Sequence, residues 1–204
     1  MATSSFIQRN PDTLTQHLEV LKELGDCHAL RGDFAAAQAC YLEAAEVAPE
    51  SPLPDVGLGA IARRQGKLAE AQRAYQAALE KDNRCCLAYE GLAWAYLQSG
   101  AYPAACELCL KALESDKENL QTLETLFEVC AALGEYSQVR SALDSYLDRH
   151  PGEPRALVCL AAIDARENRH REARETLLTV LALEPDNRRA VELLAELDTG
   201  TAAP

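Results

Sequence analysis

The sequence predicts an all-α fold: an α-solenoid of stacked helix–turn–helix units closed by one C-terminal helix. Three observations predict it. The first is a period of 34 residues, seen when "GDFAAAQACYLEAAEVA" from Gly32 is laid over "GKLAEAQRAYQAALEKD" from Gly66. The glycine returns at Gly100 and Gly134, and Asn168 takes the fifth place in the series. The second is that apolar residues on both sides of each glycine recur at offsets of three and four, which gathers them on one face of a helix. The third is a set of small residues at fixed places in the period, where two helix backbones can approach closely. A unit of this length cannot bury its apolar face alone and must stack on its neighbours.

The elements follow in order. Before each turn comes a first helix, exemplified by Leu21, Leu24, Gly25 and His28, or by Leu123, Leu126, Phe127 and Cys130. The turn needs a left-handed residue, which glycine supplies at no steric cost and asparagine tolerates. After it comes the second helix, with Ala37, Ala71, Ala105, Val139 and Ala173 five residues on, and Ala44, Ala78, Ala112, Tyr146 and Val180 seven further. Small residues at Gly25, Gly59, Ala93 and Ala161 on the first helices face bulkier Tyr41, Tyr75 and Leu177 on the second, so knobs meet holes. Pro49, Pro151 and Pro185 stop second helices. Gly57 beside Gly59 predicts a weak helix in the second unit, since each glycine costs about 1 kcal/mol relative to alanine. Phe127, Val139 and Tyr146 replace small residues in the fourth, which is expected to pack more widely. Asn10-Pro11-Asp12 reads as the first helix start.

These residues resemble the tetratricopeptide repeat, whose 34-residue pattern runs W-x2-L-G-x2-Y, A-x3-F, A and P. The resemblance places five units at residues 18–51, 52–85, 86–119, 120–153 and 154–187. A capping helix follows over 188–198, with a segment 1–10 before the array and a tail 199–204 after it. It implies a single right-handed solenoid over 11–198. No unit has Trp at the first position of the pattern, where Leu21, Asp55, Tyr89, Leu123 and Leu157 stand. Asp55 follows Pro54, a place in the first helical turn where a carboxylate suits the helix dipole.

Composition sets limits on function. The net charge of −12 argues against nucleic acid, whose binding rests on Lys and Arg neutralising phosphates. Charge is uneven: residues 52–85 hold six basic against four acidic residues, net +2, while 86–153 hold four against eleven, net −7. No apolar run reaches the roughly 18–20 residues of a membrane span, and "MATSSFIQRN" lacks the pattern of a secretion signal. Direct membrane insertion is therefore not expected, and the location expected is cytoplasmic, peripheral to a membrane only through partners.

The eight cysteines share no position in the repeat, which argues against a disulfide framework. Cys106 and Cys109 form a lone C-x-x-C on a helix, short of the four converging ligands of structural zinc, so no metal and no cofactor are expected. Cys109 and Cys130 read as small apolar fillers, and Cys85 with Cys86, at a unit boundary, as the exposed, oxidisable pair. Histidines 17, 28, 150 and 170 are scattered, and no nucleophile–base grouping or phosphate loop can be placed by spacing. The chain is not expected to be an enzyme.

The resemblance implies that ligands lie in a concave groove lined by first helices, at the second, fifth, ninth, twelfth and thirteenth positions of each unit. In this sequence those are Glu19, Lys22 and Asp26; Leu53, Val56, Ala60, Arg63 and Arg64; Leu87, Glu90, Trp94, Leu97 and Gln98; Gln121, Glu124 and Glu128; and Arg155, Val158, Ala162 and Arg166. Glu90 and Trp94 stand where chaperone-binding members carry basic residues, so carboxylate-end capture is not implied. The expectation is an apolar centre of Leu53, Val56, Leu87, Trp94, Leu97 and Val158 with a charged rim, suited to anchoring a partner peptide or helix. That makes the chain a non-enzymatic interaction scaffold of bacterial type. Two alternatives stand beside it: a self-assembling protein of a bacterial assembly or organelle surface, as on magnetosomes, with Phe6 and Ile7 of one copy in a neighbour's groove, and a regulatory subunit tethering a separate enzyme.

Overall fold

The structure, a computed structural model, describes residues 11–200, which form eleven α-helices and no strand. Phe6 and Ile7 lie outside the described residues. The helices fall into two compact units divided after Ser99. The first holds α1 (Pro11–Leu30), α2 (Phe34–Val47), α3 (Leu53–Arg64), α4 (Leu68–Lys81) and α5 (Cys86–Gln98). The second holds α6 (Tyr102–Ser115), α7 (Leu120–Leu133), α8 (Ser137–Leu147), α9 (Pro154–Arg166), α10 (His170–Leu183) and α11 (Arg188–Thr199).

The turns sit on the predicted period. Gly134 has φ +74° and caps α7 in the left-handed region, and Asn168 takes the same conformation at φ +61°, the one non-glycine residue among those described to do so. Polar side chains close several helix starts: Asp33 accepts from Ala36 N at 3.2 Å, Asn119 from Thr122 N at 2.9 Å and Asn187 from Ala190 N at 3.0 Å. Asp55 lies in the first turn of α3, where its carboxylate also meets Lys81 Nζ at 2.6 Å.

Within the N-terminal unit each helix packs on the next, and the first helices α1, α3 and α5 also pack on one another. Tyr41 and Tyr75 are the knobs, 1% and 2% exposed. A Cβ built on Gly25 or Gly57 would lie 2.7 or 2.4 Å from the Tyr41 ring, and one on Gly59 or Gly91 would lie 2.7 or 2.2 Å from the Tyr75 ring. Each ring is thus held between glycines of two successive first helices. The glycines that weaken α3 by propensity are the seats its neighbours require. Leu24, by contrast, is exposed rather than part of the packed face.

In the C-terminal unit the same places carry Cys109, Leu143 and Leu177. Leu143 and Leu177 are fully buried, and Leu177 joins Ala161, Ala162, Val180, Ala190 and Leu193, so that α11 covers α9 and α10. The helix α8 is tied to α9 by charge: Arg140 donates to Asp164 at 2.7 Å and to Glu167 at 2.9 Å, and Arg169 donates to the same Asp164 oxygen at 2.9 Å. Burial pushes the Asp164 carboxyl up from its ordinary range against the pull of Arg140. A cleft of about 610 Å³ opens among α6, α7 and α8, over Leu110, Leu113 and Leu123, and Ser137, Ser141 and Ser145 form its far wall. Its walls come from the second helix of the third predicted repeat and both helices of the fourth.

Candidate binding faces

First helices that stack on one another present one shared face, while second helices meet only their sequence neighbours. This holds for α1, α3 and α5 in the N-terminal unit and for α7, α9 and α11 in the C-terminal one. The residues predicted from the repeat positions sit on these helices, and each unit assembles its own set.

On the N-terminal unit, Trp94 is half-buried, and the guanidinium carbon of Arg63 lies 5.3 Å from its ring centroid. A cation over an indole is attracted by the negative face of the ring. Arg64 is turned inward to donate to the Ala29 carbonyl at 2.7 Å, which ties α3 to the end of α1. Lys22 pairs with Asp26 at 2.7 Å, and Asp26 accepts the Tyr41 hydroxyl. Val56 packs against the buried Ala78, Cys85 and Ala88. Leu53, Ala60, Glu90 and Leu97 are half-buried; Glu19, Leu87 and Gln98 are exposed.

On the C-terminal unit the residues converge on a pocket of about 430 Å³. Its walls are Glu124, Phe127 and Glu128 from α7, Arg155, Val158, Cys159 and Ala162 from α9, and Asn187 and Arg189 at the start of α11. Arg155 grips Glu124 with two nitrogens, Nε at 2.8 Å from Oε1 and Nη2 on Oε2. Glu124 therefore holds the Arg155 guanidinium above its ordinary pKa. Glu128, an exposed side chain, has no such partner; partial desolvation, and then the charge of Glu124, push its carboxyl up. The Cys159 thiol is pushed up to about 12, chiefly by burial, and stays protonated. Arg166 lies outside this pocket and donates to the Tyr136 hydroxyl at 2.9 Å, and Gln121 is exposed.

Four pocket residues lay outside the predicted set: Phe127, Cys159, Asn187 and Arg189. For Arg189 the signal was in the period. Carried one unit further, the second-position series Glu19, Leu53, Leu87, Gln121, Arg155 ends on it. The capping helix thus supplies a wall of the face as well as solvating the end. Cys85 corrects another expectation: it is only 8% exposed, because at the start of α5 it packs with Ala78 and Ala88. Cys86 is half-buried, and the exposed thiol among those described is Cys27. No group of three or more His, Cys, Asp or Glu side chains among the described residues could hold a metal ion. Nor is any described helix long and apolar enough to cross a membrane.

Three models of the tetratricopeptide repeat match the chain, over residues 19–51, 56–119 and 131–197. The TPR repeat-containing thioredoxin TTL4 of Arabidopsis thaliana is 28% identical over 151 residues, covering 70% of this chain but 22% of that protein. The chain thus spans about a fifth of the length of this curated relative. Among solved structures, Pseudomonas aeruginosa PilF superposes with a TM-score of 0.79 at 18% identity, over 92% of this chain and 86% of PilF. YrrB, a TPR protein with an unusual peptide-binding site, superposes with a TM-score of 0.62 at 21% identity, over 77% of this chain and 90% of YrrB. At these identities the structural likeness is one of fold.

Proposed function

The chain belongs to the tetratricopeptide-repeat family, and from that premise we propose that it is a non-enzymatic scaffold whose first-helix faces bind an extended or helical segment of a partner protein. The observation that supports this most is the α7–α9–α11 pocket. It combines an apolar floor of Phe127, Val158 and Ala162 with the bidentate Arg155–Glu124 pair and with Glu128, an exposed carboxylate whose pKa is raised by partial desolvation and then by the charge of Glu124. A partner segment that inserts one apolar side chain and sets a Lys or Arg beside Glu128 satisfies both features, since a cation restores what desolvation takes from the carboxylate. In the N-terminal unit the Trp94 indole under Arg63 offers a second anchor. A site inside the cell, at a membrane only through the partner, accords with this role.

Peptides selected on the whole chain from a random display library test the reading. Val158→Arg fills the pocket with a charge and is expected to weaken the selected peptides at least about 30-fold, the equivalent of about 2 kcal/mol for an interface anchor. Ser141→Arg, on α8, is expected to leave their affinity unchanged. Equal affinities for the two variants, with helix content intact, would overturn the assignment of the face.

A further inference from the structure

The 34-residue register shows what one side of α1 lacks. In later units the third, sixth and tenth positions carry the contact with the second helix that comes before. At the sixth, Gly57 and Gly91 seat the Tyr41 and Tyr75 rings; at the third, Ala88 packs with Ala78 of α4 and Ala190 with Val180 of α10; at the tenth, Ile61 packs with Tyr41. All three positions are buried in every unit from the second to the fifth. In α1 they are Val20, Glu23 and Cys27, and all three are exposed, Val20 by 59%. Leu24 beside them, 46% exposed, heads a column of Leu58, Leu92, Leu126 and Leu160, none of which is exposed. The stripe runs on to Arg31, whose N–H still closes on the Cys27 carbonyl at 3.2 Å.

We propose that this face of α1 is a homodimer interface, closed by α1 of a second copy lying antiparallel across a two-fold axis. Sense, shape and charge select a second copy as the occupant. The second helices that cover this face in later units are joined to the next first helix by short loops and so run antiparallel to it, and a two-fold axis perpendicular to α1 sets two copies of that helix in the same sense. Glu23 stands where glycines elsewhere seat tyrosine rings, so a helix with an aromatic knob does not fit, whereas α1 brings only the smaller Val20, Leu24 and Cys27. Charge is self-complementary along the stripe, with exposed Glu19 and Glu23 toward one end and exposed Arg31 at the other. With the axis between Leu24 and Cys27, Leu24 of each copy meets Cys27 of the other, and Arg31 comes opposite Val20, within reach of Glu19 and Glu23.

A single pair of helices makes a small interface, at the low end of the roughly 1,200 Å² or more that specific complexes bury, so the dimer forms and dissociates with concentration. Its residues are separate from those of the α7–α9–α11 pocket. Each dimer therefore carries two such pockets, and a partner with two matching segments gains avidity from it.

The test is sedimentation velocity of the full chain, kept reduced so that Cys27 cannot cross-link, from about 1 to about 200 μM, a range that spans the affinity of a small interface. A dimer whose share rises with concentration is expected. Each substitution acts twice across a two-fold axis. Leu24→Arg, which sets like charges near the axis, should weaken the dimer at least about 30-fold. Helix content by circular dichroism should be unchanged, because Leu24 is exposed. Arg31→Glu alone should weaken it about 10-fold, and the added change Glu23→Arg should recover most of that loss. A chain that stays monomeric throughout would overturn the proposal and give the face to another segment or another protein. A dimer that Leu24→Arg leaves intact would overturn it as well, since association would then run through a different surface, and a dimer indifferent to Arg31→Glu would overturn the antiparallel alignment.

Discussion

The N-terminal unit seats tyrosine rings on glycines, while the C-terminal unit packs leucines and ties one helix down with charge. Both solve one problem, filling the space where a second helix lies between two successive first helices. Tyr41 and Tyr75 need a hole on each side, and Gly25, Gly57, Gly59 and Gly91 supply it. Where the knob shrinks to Leu143 or Leu177, the corresponding first-helix positions no longer have to be glycine, and Phe127 or Ala161 stand there. Volume is conserved over the joint rather than at any one position. Helix propensity is therefore a poor guide to which unit is weak, because a glycine costly to α3 alone is required by the ring beside it.

The largest effect expected from this comparison is at Ala71, which has no exposed surface. Ala71→Arg forces both overpacking and an unpaired buried charge, about 4 kcal/mol or more, and chemical unfolding should show the N-terminal unit lost. Next comes Gly91→Ala. The added methyl would sit 2.2 Å from the Tyr75 ring, and the expected cost is about 2–3 kcal/mol. The second change Tyr75→Leu, which converts this joint to the leucine type, should recover much of that loss, and a double-mutant cycle reads the coupling. An additive cycle would break the comparison. Asp164→Asn tests the charged joint: with Arg140 and Arg169 left without their shared carboxylate, about 2 kcal/mol should be lost, with unfolding of α8 and α9 monitored by hydrogen exchange.

The smallest effect concerns Glu128. Its folded pKa is raised, so the ionised form is disfavoured by folding above that pKa, and the penalty is relieved as pH falls through it toward the ordinary carboxylate range. Glu128→Gln should then stabilise the chain slightly at neutral pH, by less than about 0.5 kcal/mol given solvent screening, and the gain should vanish on acidification. The same variant should weaken basic peptides, which separates a residue kept for binding from one kept for packing.

Much of this was legible in the sequence because the period is. The left-handed turns at Gly134 and Asn168, the burial of Tyr41, Tyr75 and Leu177, and the starts of α2, α4, α6 and α10 follow from a register of 34, with α8 starting one residue late. What escaped are relations between units. The second seat of each ring, Gly57 or Gly91, and the Arg140–Asp164 tie each join a second helix to the next first helix, an offset that periodicity aligns but does not identify as a contact. Cys85 escaped for a related reason: a boundary residue reads as exposed until the packing of Ala78 and Ala88 around it is known. The role of Arg189 was hidden because α11 was read as a cap, although the second-position series runs through it.

The claim that binding takes place on first-helix faces is tested most directly by hydroxyl-radical footprinting of the whole chain, free and saturated with a selected peptide. Side chains on the proposed faces, Trp94, Phe127 and Val158, are expected to lose reactivity on binding. Leu42 and Leu178, which are 50% and 52% exposed on second helices, are expected to keep theirs. Protection of Leu42 and Leu178 with Trp94, Phe127 and Val158 unchanged would contradict the account.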